Sequence, residues 1–392
     1  MARINPSISS QQPNPMFRLG ALVHGRSDII HLEFGEPDSP TPPHIVEAAA
    51  RSLRDERQGY GPGNGMPWLR EAIAARAQRV NGLAVAPQDV VVTAGGTGAL
   101  MASLLCLTSP GDDVLAPDPA WAGYEAMLAA ANARLVRYPL RADRGWQPDL
   151  EALEASVTPR TSVLLINSPS NPGGAVFSRE TMERIVDLCR RKNLWLLSDE
   201  CYEEIVFEGQ HVSPAALECN DGRVLTVGTC SKSYAMTGWR VGWVIAPPAV
   251  APHIALAVTA QVNNLPLFVQ RAAEAALTGP PECVHTMATA YRGRRDTAVE
   301  ILRGRGLLEY VPAGAFYLLA RVASDDDEMF DGVAFAEALI RERKIAVAPG
   351  VAFGPAIAHY ARVSLASDVE SVRAGLAGLL DFTATYGDRP GP

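Results

Sequence analysis

The sequence predicts an α/β fold: a large domain with a mostly parallel sheet flanked by helices, plus a smaller α+β domain. Three features point to it. Strands that are apolar throughout, such as "VVVT" (90–93), "SVLLIN" (162–167) and "LWLLSDE" (194–200), alternate with helical segments, the mark of a sheet covered on both faces. At 392 residues the chain exceeds what one core usually supports. Past residue 280 the alternation gives way to a long helix and scattered strands. These features divide the chain into an N-terminal arm (1–16), a first part of the small domain (17–45), a large domain (46–275) and the remainder of the small domain (276–392).

The elements follow in order. Residues 1–16 hold three prolines and few large apolar groups, and read as a flexible arm or an extended segment lying on another surface. "DIIHLEFGEPD" (28–38) reads as a strand and a turn. "PPHIVEAAARSLRDE" (42–56) is a helix with Pro43 near its start. A glycine-rich loop at 59 leads into a second helix reaching 79. The alternating region then gives helices at 98–107, 121–131 and 179–192, and strands at 90–93, 113–118, 134–140, 162–167, 194–200, 223–229 and 241–246. Beyond it come a helix at about 284–305, an acidic loop at 325–328, a helix at 333–342, the strand-like "YARVSLA" (360–366) and a last helix.

Composition narrows the function. The chain is 47% hydrophobic and 20% charged with a net charge of -8, which gives no encouragement to nucleic-acid binding. Arg292, Arg294, Arg295, Arg303 and Arg305 read as a solvated helix face, with Asp296 and Glu300 interleaved. Six cysteines (106, 189, 201, 219, 230, 283) form no CxxC and suit a reducing compartment. Seven histidines make no HExxH and no close ligand pair, so no metal is expected. The most apolar stretch, 241–262, carries three prolines and His253, and reads as strand, turn and helix, with no membrane span. No secretory signal is visible, and a cytoplasmic location follows as the default.

Several residues could carry chemistry. Asp199, in "LLSDECY", ends a buried strand, at the edge where open α/β sheets bind ligands. An isolated buried acid needs a cationic or donor partner, and a protonated heterocyclic nitrogen would serve. Tyr202 lies three residues on, and Asn171 sits in the sharp turn "SPSNPGG". Gly95 and Gly96, in "TAGGTGAL", precede a helix start placed near Gly98, a weak signal for a phosphate cradle and equally a tight turn. In "TCSKSYAMTGWR", Lys232 follows another strand, flanked by Thr229, Ser231 and Arg240. A lysine so placed can form a Schiff base, which pyridoxal phosphate requires.

This constellation resembles the fold type I pyridoxal-phosphate enzymes, and within them the class I/II aminotransferases. The resemblance runs from "HLEFGEPD" to "YARVSLA", and "SKSYAMTGWRVGW" is its most specific part. It implies a seven-stranded-type sheet in the large domain. It implies that Lys232 forms the internal aldimine and later moves protons, that Asp199 pairs with the pyridine nitrogen, and that Tyr202 and Asn171 hydrogen-bond the ring oxygen. Gly95, Gly96 and Thr97 would hold the phosphate with Thr229, Ser231 and Arg240, and Trp121 would stack on the ring. Arg362 would grip the substrate α-carboxylate with Gly35 and Asn171 nearby. Tyr60 would reach a neighbouring subunit's phosphate, implying a homodimer with shared sites. The activity implied is ping-pong transfer of an amino group from an L-amino acid to a 2-oxo acid.

Two departures stand out. The turn reads Asn-Pro-Gly-Gly where the family has Asn-Pro-Thr-Gly. Thr97 occupies a position where aspartate-using relatives often carry lysine, so strict aspartate specificity is not expected, and Glu33, Phe34 and Tyr124 would shape a mixed or apolar side-chain pocket in which no single residue identifies a substrate. The same lysine and aspartate also run β-elimination and ring closure in lyases and cyclases, and a non-catalytic binding protein is a third reading; the product formed from an amino acid discriminates them.

Overall fold

The structure, a computed structural model, describes residues 4–217 and 222–386. Cys219 and the tail from 387 lie outside the described residues.

Two sheets organise the chain. The larger has eight strands: β2 (Val90–Thr93), β3 (Asp113–Asp118), β4 (Arg134–Arg141), β5 (Gln147–Pro148), β6 (Thr161–Asn167), β7 (Trp195–Asp199), β8 (Val224–Thr229) and β9 (Gly242–Ile245), in the order β2-β9-β8-β7-β6-β3-β4-β5. The central strands β4, β3, β6, β7 and β8 are parallel, while β9 runs antiparallel to both β8 and β2. Seven strands carry the sheet, and the two-residue β5, invisible to periodicity, makes the eighth.

Consecutive apolar residues serve opposite faces. Leu165, Leu197 and Val227 pack with Leu100 and Ile254 on one side. Leu164 and Leu196 pack with Ile185 and Leu188 on the other. The helices Gly95–Leu107 and Ala251–Val262 thus cover one face, and Arg179–Lys192 covers the other. The stretch 241–262 resolves into β9 and the second of these helices, and no helix among the described residues is long and apolar enough to cross a membrane.

The smaller sheet joins distant parts of the chain. Its order is β1-β11-β12-β10, where β1 is Ile30–Leu32, β10 Tyr317–Arg321, β11 Ile345–Pro349 and β12 Tyr360–Ser364. β1 pairs parallel with β11, while β12 runs antiparallel to β10 and β11. β11 is not among the expected strands; five short apolar residues directly after a helix give no boundary signal.

Other expectations are corrected. The helix expected from Gly98 begins at Gly95. Gly95 takes φ +76°, which lets the chain turn from β2 straight into the helix. The arginines of the helix Glu282–Arg303 do not all face solvent: Arg295 is buried and bonds to Glu208 and to the Pro312 carbonyl, and Arg294 pairs with Asp38. The residues read as an arm include a helical turn at Pro6–Ser9 and hydrogen bonds to the same chain, from Ser7 Oγ to Asn132 Oδ1 (3.0 Å) and from Asn14 Nδ2 to the Ala352 carbonyl (2.9 Å).

Candidate active site

The parallel strands β6, β7 and β8 end at Asn167, Asp199 and Thr229, so their following loops converge on one edge of the sheet. The smaller sheet closes over that edge. Between them lies a cavity of about 940 Å³, lined by residues of both, including Asp199, Lys232 and Arg362.

Asp199, only 4% exposed, is held from both sides. Tyr124 donates its hydroxyl to Oδ2 (2.6 Å), and the Cys201 thiol (2.7 Å) and backbone N–H (3.3 Å) donate to Oδ1. Burial raises its pKa; these donors and the nearby Lys232 charge pull the other way. Burial likewise keeps the Cys201 thiol and the Tyr124 phenol protonated, as donors must be.

Lys232 Nζ donates to the Gly35 carbonyl (2.5 Å) and lies 5.8 Å from the Tyr202 ring centre. Tyr202 is buried, its hydroxyl 2.9 Å from that of Tyr317. A side chain on Gly35 would run into the same Tyr317 hydroxyl, so glycine is required there.

Arg362, on β12, is buried, and burial lowers its pKa although Tyr317, Tyr202 and Glu33 oppose the shift. It donates to Asn171 Oδ1 (3.1 Å) and to the Glu33 carbonyl, and its plane lies against Tyr317 (4.5 Å) and Phe353 (4.6 Å). Nε has no partner. Asn171 is fixed by its own N–H, which donates to Asn167 Oδ1 (2.8 Å).

At the opposite end, Gly95, Gly96 and Thr97 form the first turn of their helix, where backbone N–H groups point outward. Thr229 and Ser231 are buried beside it with hydroxyls 2.8 Å apart, and the exposed Arg240 lays its guanidinium over Gly95. Trp121 lines the cavity edge-on to Tyr124, ring centres 5.4 Å apart. Of the expected residues, Tyr60 stands apart: it is 92% exposed and lines no part of this cavity.

Comparison with known proteins gives this geometry a family. The family model for aminotransferase class I and II matches residues 27–379. The chain belongs to the class I and II aminotransferases. An arginine–pyruvate transaminase of Pseudomonas aeruginosa is 39% identical over 91% of this chain and 90% of its own length. An aspartate/prephenate aminotransferase of Thermus thermophilus is 37% identical over 89% of each. Among solved structures, a single mutant of Thermus thermophilus aspartate aminotransferase superposes with a TM-score of 0.91 at 34% identity, covering 97% of this chain and 100% of that one. The aromatic aminotransferase of Pyrococcus horikoshii gives 0.87 at 32% identity, over 95% and 99%. This aminotransferase is thus an enzyme that uses pyridoxal phosphate and acts on amino and 2-oxo acids.

The aminotransferase also contains a group the sequence did not reveal. Glu200, Glu203 and His211 bring ligand atoms within 4.8 Å of one another, a set able to hold a metal ion. Their oxygens already have donors: Ser198, Ser213, His211 and Asn81 on Glu200, and Arg76 and Asn81 on Glu203. The carboxylates are thus held in a hydrogen-bonded network, while His211 Nδ1 is buried with no partner among the described residues.

Proposed function

We propose that the cavity holds pyridoxal phosphate against Lys232 and passes an amino group from an L-amino acid to a 2-oxo acid in two half-reactions sharing one site. The cofactor, when bound, supplies an aldehyde carbon that exchanges amino groups and a protonated ring that takes up electron density. The residues present suit it. A side chain at Gly95 would collide with Arg240, a Cβ there lying 2.6 Å from Nη2, so glycine is what lets this guanidinium approach the helix start. The N–H groups of Gly95, Gly96 and Thr97, the Thr229 and Ser231 hydroxyls and Arg240 make a phosphate cradle.

Asp199, whose charge is otherwise expensive to bury, would balance a cationic ring nitrogen. Tyr202 and Asn171 would donate to the ring oxygen, and Trp121 would cover the ring. Lys232 takes the proton from the substrate α-carbon and returns it one position along, which its reach across the cavity permits. Arg362, assisted by Gly35 and Asn171, orients the α-carboxylate.

Arg362 is the observation that carries this reading. A buried guanidinium with no carboxylate among its hydrogen-bond partners and an unpaired Nε is prepared for a bidentate anion. Thr97 offers no cation for a second carboxylate, so the donor is not confined to aspartate.

The exposed Tyr60 serves a second copy's phosphate in a homodimer, the chain divides into domains near residues 46 and 276, and the enzyme works in the cytoplasm. The test of the reading is to add single amino acids to the loaded enzyme without any oxo acid. Release of the matching 2-oxo acid in one stoichiometric turnover, restarted by a second 2-oxo acid, supports it; ammonia release would overturn it.

A further inference from the structure

We infer that Glu33 selects the amino donor: its free carboxylate oxygen anchors a cationic, hydrogen-bond-donating substrate side chain, an ammonium or guanidinium at the end of an apolar stem. The inference rests on Arg362 being the α-carboxylate anchor. Glu33 follows β1 directly, is 0% exposed and lines the cavity. One carboxylate oxygen, Oε1, lies 2.8 Å from His31 Nδ1, while Oε2 is buried with no hydrogen-bond partner among the described residues. A buried carboxylate oxygen lacking a donor is costly, and a ligand that brings one relieves that cost.

Position adds to the case. The main-chain oxygen of Glu33 accepts from Arg362, so the free carboxylate and the α-carboxylate anchor belong to neighbouring points of one wall. The other charges facing the cavity are committed: Arg362, whose charge Glu33 supports without a side-chain hydrogen bond between them, is assigned to the α-carboxylate. Lys232, Asp199 and Arg240 are assigned to the cofactor, and Arg137 is paired with Glu125 at 3.0 Å. His31 cannot serve Oε2 as well, because its second ring nitrogen is engaged 3.0 Å from the Arg26 carbonyl. Phe34, Trp121 and Phe353 line the cavity and supply apolar surface for a stem. An acidic substrate side chain placed here would meet a second carboxylate.

The test uses Glu33→Gln in the cofactor-loaded enzyme, a change that keeps volume and removes charge. Single-turnover rates are measured with L-arginine, L-lysine, L-norleucine and L-glutamate. The wild type should favour arginine or lysine over norleucine, and E33Q should lose about 10- to 100-fold with the cationic donors, the worth of a charged hydrogen bond, while norleucine changes by less than about 3-fold. An unchanged cationic-to-norleucine ratio in E33Q, or a wild-type preference for glutamate, overturns the inference while leaving the aminotransferase site intact. Equal handling of all four donors by an Arg362→Ala variant and the wild type would instead remove the α-carboxylate assignment.

Binding without turnover gives an independent readout that survives a misfolded variant. Calorimetry on the loaded wild type should show 5-guanidinopentanoate binding about 10-fold or more tightly than hexanoate, and equal affinities overturn the inference.

Discussion

Arg362 donates to Asn171 Oδ1 across 3.1 Å, tying β12 of the smaller sheet to the turn that follows β6 of the larger. Both residues are buried, and the contact orients a guanidinium whose Nε stays free. Replacing Arg362 with Lys keeps charge and loses the planar fork. The expected result is a fall in kcat/KM of about 100-fold or more for every amino acid alike, with cofactor affinity unchanged, read by steady-state kinetics and cofactor titration.

Lys232→Ala should abolish turnover and leave the fold intact. A second readout is chemical: borohydride should fix the cofactor to the wild-type chain at Lys232, seen by peptide mass spectrometry, and fix none to the variant. Substantial residual transamination would sink the lysine assignment.

Asp199→Asn separates stability from function. Burial raises the Asp199 pKa in the folded cofactor-free protein, so its native state holds a proton more tightly than the unfolded chain does. The sign follows: the stability this group contributes is full below the unfolded value of about 3.9 and is lost as pH rises through the folded value, leaving a net cost at neutral pH. The variant should therefore melt higher than wild type without cofactor, by the equivalent of about 1 kcal/mol, and lose activity by about 100-fold or more with it.

His211 gives a pH signature. Burial favours the neutral ring, but the charge and hydrogen bond of Glu200, 2.8 Å away, outweigh it and raise the pKa. A raised histidine pKa means that its stabilisation is complete below the unfolded value of about 6.5 and fades as pH rises through the folded value. His31, raised by its contacts with Glu33 and Arg26 against the effect of burial, acts in the same direction. Urea midpoints measured from acid to mildly alkaline pH should decline across that window, and His211→Asn should flatten most of the slope.

Tyr60→Phe probes assembly. Because Tyr60 touches no part of its own cavity, any loss of cofactor affinity must act through another copy of the chain. A weakening of about 10-fold, together with a dimer in analytical ultracentrifugation, is expected; unchanged affinity would remove Tyr60 from the site.

Much of the architecture was legible because periodicity and strand ends are local properties. Asp199 ends a strand, Lys232 lies in the loop directly after one and Arg362 lies within β12, and the sequence marks those strands. Partnerships across the chain were not legible. Tyr124 meets Asp199 from 75 residues away, and the burial of Arg295 depends on a carbonyl 17 residues beyond it. The free oxygen of Glu33 is likewise a fact of packing, since nothing in "HLEFGEPD" says that His31 reaches only one of its two oxygens. The early start of the helix at Gly95 was missed because a glycine pair reads as a loop until its φ is known.

The smaller sheet and its leading loop carry Glu33, Gly35 and Arg362, whereas Asp199, Thr229 and Lys232 belong to the larger sheet and its loops. On the proposed assignments, the α-carboxylate anchor and the cofactor's lysine and aspartate therefore belong to different sheets, with Asn171 of the larger reaching across to Arg362. If those assignments hold, substitutions around β1 and β12 would change which amino acid is accepted while Lys232 and Asp199 stay as they are.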